Sequence, residues 1–154
     1  MKTLKSVACS AVMALCLMKA SAQDARIPLN TPNYSKPRLF ADLPEKMPLK
    51  IKDVESLLEL SVGTPVNASL TAGFPLIGTI VSKSDPADPS VQSVVIRTNR
   101  NGSTFTFSRV TGIDGKISYI GRMFSKSGGD ALEIANEGQG YVLRKKGVHE
   151  LINE

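Results

Sequence analysis

The chain has 154 residues, with 19 Lys and Arg against 14 Asp and Glu, one His, two Cys and no Trp. A single histidine makes a Ser-His-Asp hydrolase a poor expectation, and the soft ligands that zinc clusters need are too few. The formal charge of +5 invites a polyanion partner, but its weight depends on the first residues.

Met1 to Ala22 has the layout of a secretory signal peptide: Lys2 and Lys5, an apolar run from Val7 to Met18, then Ala20-Ser21-Ala22 before Gln23. The run is shorter than the roughly 20 residues of a membrane-spanning helix. The expectation is a protein exported to the periplasm or beyond, cleaved after Ala22, with no membrane span. Cys9 and Cys16 both lie in this segment, so neither a disulfide nor thiol chemistry is expected of the mature chain. Cys16 follows Leu15, which argues against a lipid-anchored cysteine. Losing Lys2, Lys5 and Lys19 leaves 16 cations against 14 anions, a charge of +2. The basic character of the precursor is partly a leader effect, and nucleic acid is an unlikely partner on charge alone.

Residues 23–49 carry Pro28, Pro32, Pro37, Pro44 and Pro48, a spacing that forbids a helix or a central strand. The segment reads as an extended arm, with Leu39, Phe40 and Leu43 as an apolar knot able to dock on the β domain of residues 50–154. Within that domain, DVESLLEL places Val54, Leu57 and Leu58 on one helical face, with Asp53 as the expected N-cap. This short N-terminal helix is expected to close one end of a sheet.

Val66, Ala68 and Leu70 alternate with polar residues, and Leu76 to Ser82 reads as the hairpin partner. Ser84 to Ser90 is a loop by composition. The central stretch Val91 to Lys126 reads as three strands joined by tight turns at Asn101-Gly102 and Asp114-Gly115. A two-residue turn at Asn101-Gly102 pairs Ile96 with Phe107 and Thr98 with Phe105. One face then holds Val94, Ile96, Thr98, Phe105 and Phe107, and the other Val95, Arg97, Thr104, Thr106 and Ser108. Around Asp114-Gly115 the simplest register sets Phe107 against Arg122. Either a cation–π contact forms there, or a bulge near Gly112 or Gly121 shifts the register by one, which is the preferred reading. Ala131 to Ala135 and Tyr141 to Lys145 form a last hairpin, and Val148 to Ile152 a short C-terminal helix.

The fold class is therefore mainly β: an antiparallel meander of about seven strands. Ile77 and Val81 oppose Leu76 and Ile80 along one strand, and Ile120 and Phe124 oppose Tyr119 and Met123 along another. Strands apolar on both faces predict a sheet curled into a small barrel or sandwich, so that neither set is exposed.

The candidates for chemistry are sparse. His149 is expected on an exposed last turn. Asp85, Asp88, Asp114 and Asp130 read as turn residues, without the spacing of a calcium loop. Glu133 and Glu137 could form a carboxylate pair, but they flank a turn where exposure is expected. No metal, cofactor or catalytic residue is assigned. Arg97, Arg109, Arg122 and Tyr119 are the residues selected for binding, as cations and an aromatic on the sheet. Asn33, Asn67 and Asn101 head N-x-S triplets, relevant only in a host that glycosylates exported proteins.

The leader ending in Ala-Ser-Ala before Gln23, the arm containing RLFADLP, and the run YIGRMFSKSGGDALEIANEGQGYVLRK together resemble small uncharacterised secreted β proteins of Bacteroidetes-type bacteria. That resemblance implies export and carries no catalytic residue. In organisation alone, the arm, short helix and β domain also resemble protease propeptides, implying an inhibitor or chaperone-like module. The expected function is that of an exported non-enzymatic β domain, an interaction or structural module for another protein or a cell-surface component. The alternative is a small-ligand or glycan-binding barrel, or an enzyme with a carboxylate pair.

Overall fold

The structure, a computed structural model, describes residues 35–151. The leader, Asn33 and the first part of the arm, together with Ile152, lie outside the described residues. Eight strands form one antiparallel sheet: β1 (Lys46–Leu49), β2 (Pro65–Thr71), β3 (Phe74–Lys83), β4 (Val91–Thr98), β5 (Thr104–Thr111), β6 (Ile117–Phe124), β7 (Asp130–Asn136) and β8 (Tyr141–Gly147). Strands β2 to β8 follow one another as a meander, and β1 adds to the far side of β8. The sheet curls into a half-barrel whose two edges, β1 and β2, come alongside each other. They meet without a ladder, through Thr71 Oγ1 donating to Met47 Sδ at 3.6 Å.

Strand β1 comes from the proline-rich segment that reads as an arm. Pro48 tolerates this because an edge strand needs no amide on its outer side. Met47 and Leu49 point inward and are buried, while Lys46 and Pro48 face out. The chain before β1 docks on the domain as well. Phe40 is fully buried, and the Asp130 carboxylate, 3% exposed, accepts hydrogen bonds from the Leu39 and Phe40 amides at 2.7 and 3.0 Å. A buried carboxylate is tolerable only with such donors around it.

After β1, a single residue leads into α1 (Ile51–Glu55), which continues as a 3₁₀ turn over Ser56–Glu59. Val54, Leu57 and Leu58 are buried against the barrel end, on the face that their spacing indicates. The cap position is Lys50 rather than Asp53, which sits in the first turn with its amide bonded to the Lys50 carbonyl. Lys83 Nζ reaches the Leu58 carbonyl at 2.5 Å, satisfying an acceptor that the short helix leaves open.

Both hairpin registers of the central meander differ from the simplest sequence reading. Asn101 and Gly102 do form a two-residue turn, with φ of 49° and 62° and the Ser103 amide donating to the Arg100 carbonyl. However, Ile96 pairs with Phe105 and Val94 with Phe107, a shift of two residues. Asn99 and Arg100 are excluded from the β4–β5 ladder: the Asn99 amide bonds to Ile77 on β3, and Arg100 turns back to the docked segment. Its guanidinium lies 5.7 and 5.3 Å from the ring centres of Phe40 and Phe74 and 2.7 Å from Asp42. A shift by two preserves which residues share a face. Val94, Ile96, Phe105 and Phe107 are accordingly all fully buried.

The β5–β6 register is displaced by one, setting Phe107 against Gly121 and Phe105 against Met123. The extra residue is Gly115, with φ of 76°, rather than Gly112 or Gly121. Arg122 thus faces away from Phe107, and Phe124 is 44% exposed rather than part of the core. At the C-terminus Val148 to Leu151 forms turns, where a short helix is expected.

The curl leaves a convex outer face uncovered. Leu76, Ile80 and Met123 are buried on the concave side, but Ile77, Val81, Ile120 and Phe124 are exposed, contrary to the expectation that closure hides both sets.

Candidate functional site

The half-barrel interior is filled by its own side chains. Phe40, Phe105 and Phe107 are 0% exposed and Phe74 1%, and Leu132, Leu143 and Met123 complete the packing. A recess of about 150 Å³ opens beside the β4–β5 loop, lined by Phe74, Leu76, Thr98, Arg100 and Met123 among others. That is below the roughly 300–1,000 Å³ of small-molecule sites. Among the described residues, polar and aromatic groups also gather at the rim and on the outside.

At the rim, an aromatic series runs outward from the core. Phe105 stacks on Phe107 with centroids 6.3 Å apart, Phe107 on Tyr119 at 5.9 Å, and Tyr119 meets Tyr141 edge-on at 5.6 Å. Strands β6 and β7 part beyond the Gly121–Ile134 pair, so the Tyr119 amide lacks a ladder partner. It donates instead to the Tyr141 hydroxyl at 3.2 Å. The Tyr119 hydroxyl donates to Glu55 of α1 at 2.6 Å. Directly across the β5–β6 ladder, Arg109 donates to Gln92 on β4 at 3.1 Å. Its Nε stands 3.7 Å from Glu55, an ion pair without a hydrogen bond.

The hydrogen bond to Glu55, reinforced by partial burial and by the carboxylate charge, raises the Tyr119 pKa above its ordinary value, the nearby Arg109 acting against this. Tyr119 is therefore held as a neutral donor. The rim cluster of Tyr119, Tyr141, Arg109, Gln92 and Glu55 offers aromatic edges, a cation and a carboxylate in one fixed arrangement.

The four residues selected for binding divide between two places. Arg109 and Tyr119 meet at the rim, whereas Arg97 and Arg122 lie on the convex face. Arg122 bonds to Glu133 at 3.0 Å, and Arg97 is exposed on β4. Glu55, Gln92 and Tyr141 escape the sequence reading. The two-residue register shift matters here, since the simpler turn pairs Arg109 with Val94 and hides its bond to Gln92. Glu55 and Tyr141 are brought in by α1 and β8, with no local signal.

Asp114, Glu133 and Glu137 have structural partners. Asp114 is bonded to the Lys116 amide and ammonium. Glu133, expected to be exposed, has a side chain only 12% exposed, under Arg122 and Lys146. Burial raises its pKa, but the hydrogen bonds from Lys146 and Arg122 outweigh that and hold it below the usual glutamate value. Glu137 is held low mainly by Lys46. Two carboxyls both stabilised as anions do not divide into an acid and a base. Among the described residues, no group of three or more His, Cys, Asp or Glu is placed to hold a metal, and no helix is long and apolar enough to cross a membrane.

No family model matches this chain, and no curated protein or solved structure is significantly similar to it.

Proposed function

We propose that the protein is an exported, non-enzymatic binding module that recognises another protein through the rim cluster around Tyr119 and Arg109. Export rests on the layout of residues 1–22 and on the resemblance to secreted β proteins of Bacteroidetes-type bacteria. The observation that carries the binding reading is the coexistence of a filled interior with a preorganised rim. Tyrosine and arginine are the residue types that dominate binding energy at protein interfaces, because they combine a large apolar area with polar ends. Here their side chains are already fixed by Glu55, Gln92 and each other, which lowers the entropy lost on docking.

The test uses the purified chain, immobilised and challenged with the exported fraction of its host. Wild type retains a partner that Tyr119→Ala and Arg109→Ala release, at an affinity loss of about tenfold or more, equal to 1.4 kcal/mol. Equal retention by all three proteins contradicts the assignment.

A further inference from the structure

The β5–β6 hairpin fixes which backbone groups of β6 point away from β5. The Gly112 amide donates to the Lys116 carbonyl at 2.8 Å, and the register continues from there as Thr111 with Ile117 and Val110 with Ser118. In an antiparallel ladder the amides and carbonyls of alternate residues turn to opposite neighbours. Ser118, Ile120 and Arg122 therefore bond to β5, while Ile117, Tyr119, Gly121 and Met123 turn their groups to the other side. Gly121 and Met123 meet Ile134 and Leu132 of β7 there, and the ladder stops. Ile117 and Tyr119 stand beyond it, so at the rim the sheet is split between β6 and the β7–β8 hairpin.

Two contacts shape this split. Glu137, which follows β7 at the hairpin tip, pairs with Lys46 of β1 at 2.8 Å and with Arg144 of β8 at 3.2 Å, tying the tip to the side away from β6. The Tyr141 hydroxyl accepts the Tyr119 amide at 3.2 Å, where a continuing strand would supply a carbonyl. Among the described residues, the Ile117 amide and carbonyl and the Tyr119 carbonyl have no ladder partner on this side. The side chains along the split are apolar on both faces: Ile117, 44% exposed, shares the inner face with Tyr119, and Ile120, 52% exposed, lies on the outer one.

We infer that the partner of the rim docks by strand addition: an extended segment of the partner protein lies along Ile117 to Tyr119 and bonds to β6 in place of the Tyr141 hydroxyl. This rests on the rim being the binding region and names the form of what binds there. Donors and acceptors recurring at every second residue match the backbone of an extended peptide, which carries the same repeat. The apolar groups on both faces select β-branched side chains at successive positions of that peptide. A glycan or a nucleic acid has no such alternation of amide and carbonyl. The outer edges of the sheet are less suited, since β1 and β2 lie alongside each other and Pro48 and Pro65 each remove a donor from them.

The probe is a capped peptide of alternating valine and threonine between lysine ends, titrated into the full chain and followed by NMR. Saturable shifts are expected at the Ile117, Ser118 and Tyr119 amides and at the Tyr141 ring, with slowed exchange of the Ile117 amide. The same peptide N-methylated at its central amides keeps its side chains but loses its donors, and should bind about tenfold more weakly. Tyr141→Phe removes the competing hydroxyl and should tighten binding about threefold. Ile117→Pro deletes a donor that β5 does not use and should weaken binding about fivefold; should that variant fail to fold, the methylated peptide makes the same test. Absence of saturable shifts on β6, equal affinity of the methylated peptide, or weaker binding by Tyr141→Phe each overturns strand addition. If the peptide fails while the exported partner is still retained by wild type and released by Tyr119→Ala and Arg109→Ala, the rim stands as the binding region and strand addition alone falls.

Discussion

Replacing Asp130 should detach the segment that docks Phe40 in the core. Its carboxylate accepts the Leu39 and Phe40 amides at 2.7 and 3.0 Å in a site 3% exposed. The same segment is held by the Gly129 amide on the Pro37 carbonyl and by Phe40 in the core. Asp130→Ala leaves two amides without acceptors, each costing about 1–3 kcal/mol when buried, so a loss of about 2–6 kcal/mol is expected. That is a large share of a typical 5–15 kcal/mol. Asp130→Asn keeps one accepting oxygen and should lose about 1–3 kcal/mol. Urea denaturation gives these differences, and hydrogen exchange should show the Leu39 and Phe40 amides losing protection in the alanine variant. In a Phe40→Ala background the segment is already loosened, so the two losses should fall short of adding. A cost under about 1 kcal/mol, or losses that add within about 0.5 kcal/mol, would refute the clip.

Further outcomes follow from the same contacts. Gly78→Ala sets a methyl group against the Arg97 carbonyl and within 2.9 Å of Ile96 Cγ2, so it should destabilise by about 1–3 kcal/mol in thermal or urea unfolding. Arg100→Lys keeps the charge but loses the paired bonds to Asp42 and the contact with two rings; a loss of about 1–2 kcal/mol is expected, with Asp42→Asn costing less because that carboxylate is largely exposed. Glu133 has a pKa lowered by folding, so the unfolded chain binds its proton first. Its contribution is present above the ordinary value of about 4.5 and is lost as pH falls through the lower folded value. Urea midpoints between pH 7 and 3 should therefore fall less steeply in Glu133→Gln than in wild type.

Face assignment was legible in the sequence where pairing was not. Alternation placed Val94, Ile96, Phe105 and Phe107 together, and a two-residue slip cannot undo that because side chains alternate with period two. The slip itself comes from Arg100, drawn to Phe40 and Asp42 about sixty residues earlier in the chain, a partnership invisible to local pattern. The clash of Phe107 with Arg122 announced a bulge, which the sequence reading set near Gly112 or Gly121, whereas the extra residue is Gly115 of the turn itself. Strand β1 was hidden by Pro48, which excludes a central strand and permits an edge. The exposure of Ile120 and Phe124 depends on how far the sheet curls, and no strand encodes that alone. At the rim, Arg109 and Tyr119 were recognisable as residue types, whereas Glu55, Gln92 and Tyr141 join them only through the helix position and the true register.

Binding from outside requires that the barrel interior stay filled. Methyl and aromatic NMR spectra of the intact chain, recorded while titrating a mixture of small apolar fragments and monosaccharides, address this directly. Shifts should stay confined to surface groups such as Tyr141, Ile120 and Phe124, with Phe105, Phe107, Leu132 and Leu143 unmoved. Saturable shifts centred on those four buried residues would mean that the interior takes a ligand, and the exterior reading would fall.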